Sequence, residues 1–352
     1  MVHRATLLSV VVVAGCGRLG FDGVPPVVHE GVEPAACSTY QWTTVAPPDR
    51  DLDLSITTMP SSIAVGWVAH ADGALFGTML APDWSMTTDP SGTMIKTGGW
   101  VDASVQYIDG QLVAGEAETG RGAVKYDTMD GAFANDSEFG CPTASYLPKP
   151  PMLHAGGDLI APTVSDTGLS VWQITGWSIT GAATTAPSSP ATGVAATEVG
   201  TEAFIVWPTV DGCNMMTLQN AMTGTSHASA ASCDAPRVAA SGPSVALVYE
   251  TAAGVAIVRD DPTTIDPANG TMLAAGATSP RIVFDGVRYW TSYLDASGAV
   301  VVGYQDTNGV LRSTQLATKP RHDAYELAIV DHEPWIVGLD ASGLAATRLC
   351  TP

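Results

Sequence analysis

Charged residues are scarce in this chain, and basic ones scarcer still. Asp, Glu, Lys and Arg make up 14% of its 352 residues, with 15 Lys and Arg against 35 Asp and Glu. The formal net charge of −20 excludes a surface built to neutralise phosphates, so no nucleic acid is expected as partner. The histidines are few and scattered, and there is no Cys-x-x-Cys, no His-Glu-x-x-His, no Gly-rich phosphate loop and no Gly-x-Ser-x-Gly elbow. The usual zinc, nucleotide and esterase signatures are therefore missing, and nothing calls for a cofactor or a metal. Amphipathic helical stretches are also lacking beyond the N-terminus. The longest N-terminal apolar run, Ala5 to Val13, is broken by Thr6 and Ser9 and falls short of the about 20 residues that a membrane-spanning helix needs.

That run has a use of its own. His3 and Arg4 precede it, and it ends in Val13-Ala14-Gly15-Cys16, small residues before a cysteine, which is the layout of a cleaved export signal. The tetrapeptide resembles the lipobox of bacterial lipoproteins. The resemblance covers residues 1–16 only, and implies that residues 1–15 are removed and that Cys16 is acylated and becomes the new N-terminus. More than one acyl chain makes such an anchor stable. Gly17 rather than Asp follows the cysteine, which by analogy with enteric bacteria implies the outer membrane of a Gram-negative cell. Residues 16–36 show no apolar periodicity and hold Pro25, Pro26 and Pro34 among glycines, as a flexible tether would.

From residue 37 onward the chain consists of short β-rich runs, such as Ile63 to Ala69, Phe204 to Trp207 and Val245 to Tyr249, separated by turn signals. Leu294-Asp295-Ala296-Ser297-Gly298 is echoed by Leu339-Asp340-Ala341-Ser342-Gly343. With the glycine as anchor, equivalent turns end at Gly73, Gly120, Gly168, Gly212, Gly254, Gly298 and Gly343, spaced 47, 48, 44, 42, 44 and 45 residues apart. Glycine recurs twelve positions earlier at Gly156, Gly200, Gly242 and Gly286, and proline eighteen positions earlier at Pro150, Pro236 and Pro280. Four short strands per unit at this period mark a propeller blade, so residues 37–352 are expected to form an all-β, seven-bladed β-propeller. A pair of β-sandwiches is the main alternative.

The last unit has room for a third strand, Leu344 to Cys350, but none for a fourth. The stretch Thr39 to Val45 can supply it and so close the ring by pairing the two ends of the chain. In that antiparallel pair Cys350 meets Cys37. Cys213 and Cys233 repeat the geometry in the fourth unit, and an exported chain permits both disulfides. Cys141 is left as a free thiol.

For ligands, the pattern points to the face that carries the turns between second and third strands. Asp72, Asp166, Asp211, Asp295 and Asp340 stand at those turns, while Arg237 and Arg281 follow the repeated prolines where the first strands begin. These residues are expected to form a cationic mouth within an acidic rim, suited to an acidic sugar, a carboxylate or a protein loop. Asp at such turns also serves the turn itself. Fragments similar to subtilisin-type motifs, Val164 to Gly168 and Gly224 to Ala228, have no His-Gly motif between them. The single Asp-box-like stretch from Asp166 to Trp172 is out of register. Asp260, Asp261, Asp266 and Asn269 lack EF-hand spacing and are read as a solvated loop. Trp67, Trp207, Trp290 and Trp335 are assigned to packing between blades. The expected function is a membrane-anchored binding module for a protein, glycan or cell-wall partner, with an extracytoplasmic hydrolase or lyase on the same scaffold as the alternative.

Overall fold

The computed structural model describes residues 32–350, apart from segments 43–53, 70–73, 82, 85–92, 97–99, 119–122, 130–134, 143–150, 166–167, 185–192, 306–309, 321–323 and 341–342. The expectations for the export signal, Cys16, the tether up to residue 31, Asp72 and Asp166 lie outside the described residues. Cys141 lies on strand Asn135–Pro142, with its side chain outside them too.

The described chain is a seven-bladed β-propeller. Every blade is a four-stranded antiparallel meander, and the blades begin at Leu54, Trp100, Leu153, Ala195, Asp234, Thr278 and Tyr325. First strands of neighbouring blades approach one another and so form the inner wall of the ring. The core is a series of layers between blades. Trp207 packs with Ile160, Leu169 and Val171 of blade three, and Trp290 with Tyr325, Leu327 and Ile336 of blade seven. All four tryptophans assigned to packing are at most 5% exposed. Strands buried on both faces explain why their sequences read as apolar runs rather than alternations.

The glycine markers have a physical cause. At the turn into the third strand Gly168, Gly212, Gly254, Gly298 and Gly343 all have positive φ, as do Gly156, Gly200, Gly242 and Gly286 in the first hairpin. At Gly212 a second constraint is added: φ is +142°, and a Cβ there would stand 2.1 Å from the carbonyl oxygen of Ser229 on the outermost strand. Only glycine satisfies both demands.

Blade seven is built from both ends of the chain. Tyr325–Val330, Glu333–Asp340 and Gly343–Cys350 are followed in the sheet by Ala35–Trp42, with Thr39 opposite Thr347 and Trp42 opposite Leu344. This strand starts earlier than expected because Cys37 is the extra residue of a bulge between Ala36 and Ser38. The bulge keeps the ladder going on both sides of it. Cys37 and Cys350 are bridged with their Cα atoms 5.8 Å apart, and Cys213 and Cys233 with theirs at 5.4 Å. Cys233 lies beyond the fourth strand, Thr223–Ser229, so that bridge ties the start of a third strand to the crossover into blade five. The chain just before the seam also packs on the ring: Pro34 is buried, and the Tyr304 hydroxyl donates to the Val32 carbonyl at 2.7 Å.

Candidate functional site

A meander has two ends, and so the ring has two faces. The turns between second and third strands lie on one. The first hairpins and the turns between third and fourth strands lie on the other, which also receives the chain at residues 32–35.

On the first face, Arg281 follows a bulge at which Ser279 takes φ +54°, and Arg237 follows an equivalent bulge at Ala235, φ +43°. Each arginine donates through Nη1 to the carbonyl of the proline before it, at 2.9 Å for Arg237 and 3.0 Å for Arg281. Arg281 is 2% exposed. Its Nε lies 3.2 Å from Glu326 and 3.3 Å from the Tyr325 carbonyl, and its guanidinium rests 4.9 Å from the Tyr325 ring centre. Arg281 thus ties blade six to blade seven and presents no cation to solvent. Arg237 is half-buried, and its charge also reaches the buried Tyr325, whose phenol is pushed up by burial against the pull of both arginines. The signal for this arrangement is in the repeat: Arg237, Arg281 and Glu326 each stand seventeen positions before an anchoring glycine. They occupy one ring position in three successive blades.

Asp295 and Asp340 on that face serve their turns. Asp295 accepts from Ser297 N at 2.8 Å, Ser297 Oγ at 2.7 Å and Ala299 N at 3.0 Å, and these bonds, with that from Gln315, hold its carboxyl below the usual range. Asp340 accepts from Gly343 N at 3.1 Å and Gln41 Nε2 at 3.4 Å. Asp211 is exposed at its turn. Asp261 and Asp266, on the opposite face, are capping groups for Thr263 and Ala268.

Among the described residues, the opposite face holds three clefts. One of about 640 Å³ separates blades four and five and is lined by Glu198, Glu202, Thr201, Asp261 and Thr263 around an apolar floor of Val199, Ala240 and Pro262. A second, of about 370 Å³, lies at the seam of the ring and is lined by Ser38, Tyr40, Asp83, Glu333, Trp335 and Arg348. A third, of about 340 Å³, lies between the first hairpins of blades seven and one and shares Val330 and Asp331 with the second.

At the seam, the rings of Tyr40, Trp42, Trp84 and Trp335 form one cluster. Tyr40 is 6.0 Å from both Trp42 and Trp335, and Trp84 is 4.6 Å from Trp335. Arg348 Nη1 meets Glu333 at 3.2 Å, with both side chains more than one third exposed. The hairpin between the two clefts turns through Asp331 and His332, at φ +51° and +63°. Other first hairpins use glycine at such a turn, for example Gly156-Gly157 and Asp109-Gly110.

Away from the seam, the same face carries a three-blade bracket. His154 Nδ1 lies 3.0 Å from Glu198 of blade four, and Nε2 lies 3.1 Å from Asp109 of blade two. Burial disfavours the charged ring, but the hydrogen bonds and charges of the two carboxylates outweigh it, so the imidazole pKa is raised.

No family model and no curated protein matches this chain. Solved propellers are similar to it in fold. The WD40 domain of Toxoplasma gondii coronin superposes with a TM-score of 0.61 at 11% identity, covering 91% of this chain and 87% of that one. BBS1N, solved in complex with ARL6DN, gives 0.57 at 11% identity over 91% and 97%. SapL1 lectin, solved in complex with alpha methyl fucoside, gives 0.51 at 10% identity over 78% and 99%.

Proposed function

We propose that this protein is an exported lipoprotein, acylated at Cys16 and held at the outer membrane of a Gram-negative cell, whose propeller binds a ligand in clefts between blades. The observation that carries the binding reading is that three clefts among the described residues open on the same face, each lined by polar side chains beside apolar ones. Such concave, convergent sites are where ligands bind. The structures similar in fold include one solved with a protein partner and one solved with a sugar, and both kinds of partner are consistent with this reading. Fold alone does not choose between them.

The anchor is tested by expressing the full chain in a Gram-negative host. The expected result is partition into detergent and an acylated N-terminal cysteine, both lost in Cys16→Ser. Unchanged mass and partition in that variant refute the anchor. Binding is tested by applying the full chain to an array of envelope glycans, cell-wall fragments and envelope proteins. Binding that disappears when the clefts are altered supports the proposal. An array with no bound component refutes it, and so does binding that survives Tyr40→Ala, Glu202→Gln and Asp261→Asn combined.

A further inference from the structure

Resting on the binding reading above, we infer that the groove at the seam of the ring is a saccharide site, taking a neutral pyranose against Tyr40 with its hydroxyls held by the Arg348–Glu333 pair. A pyranose needs three things of a protein: a flat apolar surface for its C–H face, planar polar groups that bridge neighbouring hydroxyls, and walls that exclude water from both. The seam supplies the first two within a cleft. Tyr40 is partly exposed, and Trp335 and Trp42 beside it fix its ring, so stacking a sugar there costs little side-chain freedom. Arg348 and Glu333 offer a donor and an acceptor side by side. Their contact uses Nη1 of the guanidinium, while both side chains remain open to solvent. Ser38 and Asp83 line the same cleft and add a hydroxyl and a carboxylate. The volume, about 370 Å³, falls within the about 300–1,000 Å³ of ligand pockets.

A second cleft adjoins the first. Asp331 borders both the cleft with Tyr40 and its neighbour with Thr58, Ser62 and His332, so the two are separated only by its hairpin. The hairpin between them holds two consecutive non-glycine residues in the left-handed region, both exposed. That backbone is costly, and glycine would relieve it. Its effect is to place a carboxylate and an imidazole at the groove.

A cleft lined by carboxylates could equally attract a cation, and that chemistry belongs to the cleft of blades four and five, whose charged lining residues, Glu198, Glu202 and Asp261, are all acidic. At the seam the guanidinium and the aromatic ring favour a neutral polyol.

The test uses the full chain in detergent with a defined panel: methyl pyranosides of glucose, galactose, mannose and fucose, with cellobiose, maltose and chitobiose. Tryptophan emission reports binding directly, since Trp42, Trp84 and Trp335 adjoin Tyr40 through ring contacts of 6.1 Å or less. At least one pyranoside is expected to bind at about 1 mM, the figure that ordinary ligand efficiency gives a molecule of this size. A disaccharide of the same sugar is expected to bind more tightly. Tyr40→Ala is expected to abolish binding, Tyr40→Phe to retain it, and Arg348→Met to weaken it at least about tenfold. Glu202→Gln and Asp261→Asn are expected to leave it unchanged. A silent panel overturns the inference, as does binding lost in the last two variants and kept in Tyr40→Ala and Arg348→Met. A silent panel beside an array that captures a protein overturns the saccharide site and leaves the binding module standing.

Discussion

Opening the seam disulfide should destabilise the ring more than opening the other bridge, even though the seam bridge lies at the surface. Cys37–Cys350 closes a separation of 313 residues, and Cys213–Cys233 closes one of 20. The chain-entropy relation gives about 5–6 kcal/mol for the first loop and about 3 kcal/mol for the second. Packing enters differently. Cys37 is exposed and Cys350 half-buried, so replacing both by Ser removes little beyond the constraint, whereas Cys213 and Cys233 are fully buried. The comparison is therefore best made in steps: urea unfolding of the wild type, then of Cys37→Ser/Cys350→Ser, then of that variant after reduction. Reduction opens the second bridge while keeping both sulfurs in the core. The first step is expected to lower the unfolding free energy by about 5–6 kcal/mol and the second by about 3 kcal/mol. A second step equal to or larger than the first refutes the loop argument.

Three further outcomes follow from the contacts described. His154 has its folded pKa raised above the ordinary imidazole value of 6.5, so its contribution is complete below that value and is lost as pH rises through the folded pKa. The stability gap between wild type and His154→Gln should accordingly be wider at about pH 5 than at about pH 9, and a gap independent of pH contradicts the bracket. Glu326→Gln should cost about 3 kcal/mol by leaving Arg281 buried beside a neutral partner, while Arg281→Met with Glu326→Leu should cost less than the single change. Denaturant midpoints of the three proteins decide this. Gly212→Ala should lose more stability than Gly200→Ala, which has open space for a Cβ and bears only the left-handed cost of about 1–2 kcal/mol. Equal losses would mean that the contact with the Ser229 carbonyl relaxes freely.

The blade count, the strand order within each blade and the closure of the ring were legible because they rest on local demands. A turn that needs positive φ selects glycine wherever it recurs, and the alternation of Thr39 to Val45 suits a strand that pairs with Gly343–Cys350. Sequence spacing set Cys37 opposite Cys350 for the same reason. It placed Cys233 on a strand end rather than in the following crossover, because a bridge needs only proximate Cα atoms and not a ladder. The clefts were harder to see. The seam groove joins Ser38 and Tyr40 to Glu333, Trp335 and Arg348 across nearly the whole chain, and its shape depends on how blade one's Asp83 and Trp84 lie against blade seven. No local pattern encodes that. Arg281 shows the converse case: the repeat puts it where a first strand begins, but its destination is set by Glu326 on another blade. Aligning the units seventeen residues before each anchor would have brought the two together.

The composite blade also orders events in time. Six blades are each contiguous in sequence and make most of their contacts locally, so each can form soon after its own residues are available. The seventh cannot, because Ala35–Trp42 has its partner in Gly343–Cys350 at the far end of the chain. Until the last residues arrive, the half-ring leaves the Tyr40 and Trp42 side chains and one edge of the sheet without cover, the condition in which strand edges recruit other chains. Non-local closure of this kind is slow because loop entropy must be overcome before any contact offsets it. Among the described strands, Ala35–Trp42 is therefore made first and paired last.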